Sequence, residues 1–248
     1  MDELDYLEEQ NEQHVTQRHL LHALDHVAEV LRAHGIRHGV MGGMSMILLG
    51  NQRRTTSDVD VAVETSTRAL LGALATDNRV YLPQANSVAG SGVARIFVLT
   101  GPRYGHNVEP LAVEVDLILS GNQGAPRQLE GAVATYTVQT QLGARNYNIL
   151  AIKVLFRAKL RAYYRRESNK DYQDLVWMCM RQSVAVRRFA PELTDVDVEM
   201  QHFARTFADE NERDSEQVEW LYELLGFSRR PSSSSSQGSS RSSHRRGQ

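Results

Sequence analysis

Cysteine is nearly absent from this chain: Cys179 is the only one. That excludes an internal disulfide and a multi-cysteine zinc site, and makes a reducing, cytoplasmic compartment the default expectation. No run of about 18 apolar residues occurs, so a helical membrane span is not expected. The first residues, MDELDYLEEQNEQ, are acidic and polar, the opposite of a secretory or mitochondrial leader. Lysine is scarce as well, occurring only at Lys153, Lys159 and Lys170 while arginine supplies the other basic residues. Each of the three is therefore harder to dismiss as surface filler.

What is present suits a folded domain. The chain has 248 residues, of which 41% are hydrophobic, enough for one large or two small domains with a core. Its net charge of −2 is unevenly spread: five arginines and no acid follow Ser228, leaving the preceding body at −7. An acidic body argues against a broad nucleic-acid surface, though not against a local one. The tail, SRRPSSSSSQGSSRSSHRRGQ, cannot bury apolar surface and is expected to be disordered. Its serines beside arginines would suit a kinase or a weak nucleic-acid contact, and its basic character would allow a nuclear location. Solvated filler is the simpler account.

The stretch 39–63, GVMGGMSMILLGNQRRTTSDVDVAV, organises the rest. A short apolar run stops at Gly42 and Gly43, an apolar segment from Met44 to Leu49 follows, then a polar, cationic one. The stretch closes on Asp58-Val59-Asp60-Val61-Ala62-Val63. Carboxylates alternating with β-branched residues predict a strand, on which Asp58 and Asp60 share a face roughly 6.5 Å apart. Two ionised acids there need water, cations or a base. With substrate phosphates as further ligands, they supply what Mg²⁺ asks of a protein. Glycines between a strand and a helix let backbone N–H groups meet an anion. A phosphate cradle beside an acid pair suggests phosphoryl or nucleotidyl transfer.

The remaining elements follow from periodicity. Leu20, Leu21, Leu24, Val27, Val30 and Leu31 predict an amphipathic helix over 16–34, ended by Gly35. His19 and His22, one turn apart on it, could hold a metal, but without a third ligand nearby they read as a solvated face. Ile36 to Met41 is the first expected strand. Glu64 to Thr67 supplies an N-cap for a helix over 68–75, a short strand is expected over 80–82, and 85–92 should be a loop. Strands are expected over 93–100, 111–119 and 132–138, with a shorter one at 147–149. In 111–119 the apolar Val113, Val115 and Leu117 alternate with Glu114 and Asp116, so a second acid-bearing face appears. Helices are expected over 150–166, from Lys170 onward, and over 195–210 and 215–225.

Gly42-Gly43, a spacer from Met44 to Ser57 and then Asp58-Val59-Asp60-Val61 resembles the signature of the nucleotidyltransferase superfamily that includes DNA polymerase β. More narrowly, it is similar to minimal nucleotidyltransferase-like proteins and to the toxin half of AbiE-type toxin–antitoxin pairs. The resemblance implies a third carboxylate on a neighbouring strand. Asp116 matches that position, and Glu114 is the substitute if the register differs by two. It also implies that Lys153 and Lys170 face nucleotide phosphates and that Asp174 orients a basic partner. Asp171, near the start of the same helix, needs no role beyond the helix dipole.

The expected fold is α/β: a nucleotidyltransferase-like mixed sheet of about five strands flanked by helices, with a C-terminal helical region. The expected divisions are 1–149 with the N-terminal helix, 150–227 helical, and 228–248 the Ser/Arg tail. Asp58, Asp60 and Asp116 are the expected catalytic and metal-binding residues, holding two Mg²⁺ ions, or Mn²⁺ in their place. Gly42, Gly43 and Ser45 would receive the β- and γ-phosphates of an NTP such as ATP, with Arg53 and Arg54 neutralising the triphosphate. The acceptor would be a hydroxyl on a tRNA end, a protein or a small molecule. An antitoxin-like or other protein partner is also implied. Two rival readings stand beside this one: an inert relative that binds a nucleotide or a protein, and a structural protein whose acids are surface decoration.

Overall fold

The structure, a computed structural model, describes residues 3–82 and 91–227. The loop expected over 85–92 falls mostly outside that range, as does the tail beyond 227. Seven strands form one sheet: β1 (Arg37–Val40), β2 (Val59–Glu64), β3 (Val80–Tyr81), β4 (Val93–Thr100), β5 (Leu111–Leu119), β6 (Val133–Thr140) and β7 (Gly143–Leu150). Their order is β3-β4-β5-β2-β1-β7-β6, with β2–β5 and β1–β7 parallel and the other pairs antiparallel. The count exceeds the expected five because both short expected segments, 80–82 and 147–149, join the sheet, the first as the two-residue edge strand β3 and the second as β7, which begins four residues early. That extension, Gly143-Ala144-Arg145-Asn146, is largely exposed and carries no apolar alternation to announce it. It is held by ladder bonds to β6 and by cross-strand bonds such as Thr137 to Asn146, 2.8 Å.

Among the described residues, four helices precede or interrupt the strands: α1 (Glu3–His14), α2 (Gln17–Ala33), α3 (Gly42–Leu48) and α4 (Thr67–Leu74). α2 is the amphipathic helix foreseen, with Leu20, Leu21, Leu24, Val27 and Leu31 buried against the sheet. The Thr16 hydroxyl accepts from the His19 amide while the His19 ring faces the Thr16 backbone, a reciprocal cap. α4 is capped by Ser66, whose hydroxyl accepts from the Ala69 amide. α1 has no counterpart in the expected elements; its buried anchor is the polar Asn11, which accepts from the Glu114 amide of β5.

After β7 the chain turns helical: α5 (Ile152–Arg166), α6 (Asn169–Arg181), α7 (Ser183–Phe189), α8 (Asp197–Glu210) and α9 (Ser215–Leu225). α5 buries Leu155, Phe156, Leu160 and Tyr163 on one stripe. Edge-to-face aromatic pairs, including Phe156–Phe189 at 5.6 Å and Tyr172–Phe203 at 5.7 Å, tie these helices together. No helix among the described residues is long and apolar enough to cross a membrane.

Candidate active site

The parallel register of β2 and β5 sets Asp60 directly abreast of Asp116. Adjacent strands lie about 4.8 Å apart, so two carboxylates from segments 56 positions apart in the chain share one patch. Asp58 stands just before β2 and is oriented by Thr56, whose hydroxyl donates to Asp58 Oδ1 at 2.6 Å. The glycine corner closes on the same patch. Gly42 has φ +61°, and a Cβ there would lie 1.7 Å from Asp60 Oδ2. Only glycine leaves room for that carboxylate. A Cβ on Gly43 would meet Thr56 Oγ1 at 2.6 Å and Arg54 Nη2 at 2.9 Å. The Ser45 hydroxyl, expected to contact phosphate, is buried and donates to the Gly42 carbonyl at 2.8 Å, stabilising the turn.

Charge is crowded here. Burial, reinforced by Asp58 and Asp116, pushes the Asp60 carboxyl up to about 7, against the pull of Lys159 and Arg166. Glu114 is also pushed up to about 7, by burial and by Asp116 and Asp58, against Arg95. Asp116 itself is gripped by Arg95: Nε reaches Oδ1 at 3.0 Å and Nη2 reaches Oδ2 at 3.2 Å. The same guanidinium holds Glu114 at 3.0 Å and Glu8 of α1 at 2.6 Å. Asn11 of α1 donates to the Ser57 carbonyl at 2.7 Å and accepts from the Glu114 amide at 3.2 Å, clamping the ends of both acid-bearing segments.

Among the described residues, no group of three or more His, Cys, Asp or Glu side chains is placed to hold one metal ion. Asp58 and Asp60 nevertheless fit a hard divalent cation: they are oxygen donors whose proximity raises Asp60, and a cation would relieve that repulsion. His19 and His22 do not form a metal pair. His19 bonds the Glu109 carbonyl at 2.9 Å, and His22 stacks on His106 at 3.9 Å.

Beside the glycine corner opens a cleft of about 1050 Å³ between residues 49–55 and α6. Arg53, Arg54, Lys170 and Arg181 line it, with Trp177 on its wall. Its one acid, Asp174, is buried and already paired: Arg54 Nε donates to it at 3.2 Å and Lys159 Nζ lies 2.7 Å away. Lys159 also binds Asp171 at 3.1 Å, and Arg166 binds the other Asp171 oxygen at 2.6 Å. Burial alone would raise Asp171, but the Arg166 hydrogen bond and Lys159 outweigh it and hold its pKa below the usual value. Asp171 is therefore a buried ion-pair residue as well as an acid at a helix start.

The structure thus gathers Asp58, Asp60, Asp116, Gly42, Gly43 and Arg54 at one corner, and Arg53 and Lys170 in the adjoining cleft. It leaves Lys153 out, engaged with Glu192 at 2.6 Å and absent from the cleft lining. Arg166, Arg95, Asn11, Thr56, Trp177 and Arg181 were not singled out from sequence, and Lys159 was marked only by the scarcity of lysine, with no role assigned. Two of them carried a signal. Lys159 falls four residues after Leu155 and three after Phe156, on the apolar stripe of α5, and Arg95 is the one charge in the run VARIFVLT.

No protein-family model and no curated protein matches the chain. Among solved structures, an antigenic nucleotidyltransferase-like protein from Paracoccidioides brasiliensis aligns with a TM-score of 0.52 at 16% identity, covering 83% of this chain and 94% of that one. JHP933 from Helicobacter pylori aligns at 0.43 with 17% identity, covering 82% and 89%. The antibiotic-resistance factor ANT(2'')-Ia aligns at 0.41 with 12% identity, covering 81% and 97%. The first likeness bears on the fold alone.

Proposed function

From the premise of a nucleotidyltransferase-like fold, we propose that this chain is a metal-dependent nucleotidyltransferase. It moves a nucleoside monophosphate from an NTP to a hydroxyl acceptor. The observation that carries this reading is the side-by-side placement of Asp60 and Asp116 at a glycine corner that has room for nothing larger, beside a cationic cleft.

Each residue then has a task. Asp58 and Asp60 hold the divalent cation, which when bound neutralises phosphate charge and polarises the reacting oxygens. Arg54, fixed by Asp174, sits against Gly43 where the triphosphate enters. Arg53, Lys170 and Arg181 add positive charge along the cleft, and Trp177 offers a ring on which a base can stack. The acceptor oxygen attacks the α-phosphorus and the bond to the bridging oxygen breaks. Pyrophosphate departs, and the acceptor's proton passes to Asp116 or Glu114. A carboxyl near neutrality, as Glu114 is, suits a base at cellular pH. Most of the acceleration comes from positioning and charge stabilisation.

The test is transfer of label from each α-³²P-NTP into total RNA, lysate protein and small hydroxylated molecules. Label should enter one pool with wild type and fall to background with Asp58→Ala. Absence of transfer from all four nucleotides into every pool would sink the proposal. One observation favours the alternative of a nucleotide-binding module without transfer: Arg95 already claims both oxygens of Asp116. That reading predicts saturable NTP binding with no transfer.

A further inference from the structure

Arg95 stands opposite Asp116 in the antiparallel β4–β5 register, and its neighbours Ala94 and Ile96 are buried. Its guanidinium is fully engaged. Nε and Nη2 fork onto the two Asp116 oxygens, Nε also faces Glu114, and Nη1 reaches Glu8. A forked guanidinium is a rigid, permanently charged partner for a carboxylate. The Arg95 side chain is 40% exposed, but it is tied to α1 as well: Glu8 rides on α1, and α1 is bonded through Asn11 to Ser57 and to Glu114. A cation bound at Asp116 would have to share that carboxylate with a guanidinium of the same sign. Among the described residues, neither Asp58 nor Asp60 has an arginine fork of this kind. The Asp58 partner is the neutral Thr56 hydroxyl, and Asp58 and Asp116 act on Asp60 more strongly than Lys159 and Arg166 do.

We infer that Arg95 is a built-in cation at Asp116, so that the nucleotide-free chain binds one divalent ion, at Asp58 and Asp60, and not two. Arg95 is a positioning residue: it neutralises Asp116, fixes the direction in which its oxygens point, and ties that direction to the seating of α1. The inference rests on the metal-dependent reading above, but it adds a count which that reading does not require.

The experiment is titration of the full chain with Mn²⁺ at pH 8 without nucleotide, following free Mn²⁺ by electron paramagnetic resonance. Wild type should bind one ion, Arg95→Gln two, and Arg95→Lys, which keeps the charge, one. Asp58→Ala should lose the wild-type ion. Two ions on wild type would overturn the inference and leave the proposed enzyme standing, and this count decides even if Arg95→Gln does not fold. One ion on a folded Arg95→Gln would overturn it as well, since the guanidinium would then not be what excludes the second. No binding by wild type or by Arg95→Gln would remove the metal-dependent reading itself, and the inference with it.

Discussion

Asp60 and Asp171 are both aspartates drawn out of solvent, and the protein treats them in opposite ways. Asp171 is met by Lys159 and Arg166, which hold its pKa below the usual value despite burial. Burial carries Asp60 up to about 7, with Asp58 and Asp116 adding repulsion that the same Lys159 and Arg166 only partly offset. One acid is neutralised where it lies; the other is left short of positive charge. Compensated ion pairs hold structure together, whereas an uncompensated acid beside a solvent-accessible cleft is what the proposed metal-dependent reading calls for.

The contrast can be broken hardest at Lys159. Replacing it with Met leaves buried Asp171 with Arg166 alone and buried Asp174 with Arg54 alone, which should cost about 3–5 kcal/mol in urea unfolding. Asp171→Asn should cost about 1.5–3 kcal/mol in the same assay, because hydrogen bonds to charged partners are lost. At the other pole, Gly42→Ala pushes a methyl into the Asp60 carboxylate at a positive φ. It should cost about 1–3 kcal/mol, and part should return in Gly42→Ala/Asp60→Ala. Asp60→Asn should go the opposite way from Asp171→Asn and stabilise the protein at pH 8 by about 0.5–2 kcal/mol, while transfer activity disappears.

The mildest probe is pH. Asp60 and Glu114 have folded-state pKa values raised above the unfolded ones, so the stability they contribute is complete below about pH 4. It is lost as pH rises to about 7. Asp171 is lowered, so its contribution is present above the unfolded value and is lost as pH falls through the folded one. Melting temperature should therefore decline between pH 5 and 8 more steeply in wild type than in Asp60→Asn. Mg²⁺ should raise it more at pH 8 than at pH 5, and a chelator should remove that gain.

The two poles differ in how they could be read beforehand. The acid-bearing strands were plain because a period of two is written in successive residues of 58–63 and 111–119. Their in-register pairing was not, since it depends on which strands become neighbours. The compensated pole was half hidden. Asp174 and Lys170 were noticed through resemblance, while Lys159, which holds the cluster, was marked only by the scarcity of lysine and given no role although it sits on the buried stripe. Lys153, with the same scarcity to recommend it, lies one turn and a half away and pairs with Glu192. Helical phase separates the two lysines; rarity does not. α1 left the faintest trace, because a helix docked through Asn11 and Glu8 shows no apolar stripe.

The side-by-side placement of Asp60 and Asp116 also bears on how this gene can drift. Side chains alternate across a strand, so deleting or inserting one codon inside β2 or β5 would swing its carboxylates to the opposite surface and scatter the cluster. Length changes in the turn joining β6 to β7 carry no such penalty, because the two strands can pair again on either side of a longer turn and neither bears an acid of the cluster. Homologues should therefore vary freely in size through that connection while keeping both acid-bearing strands at constant length.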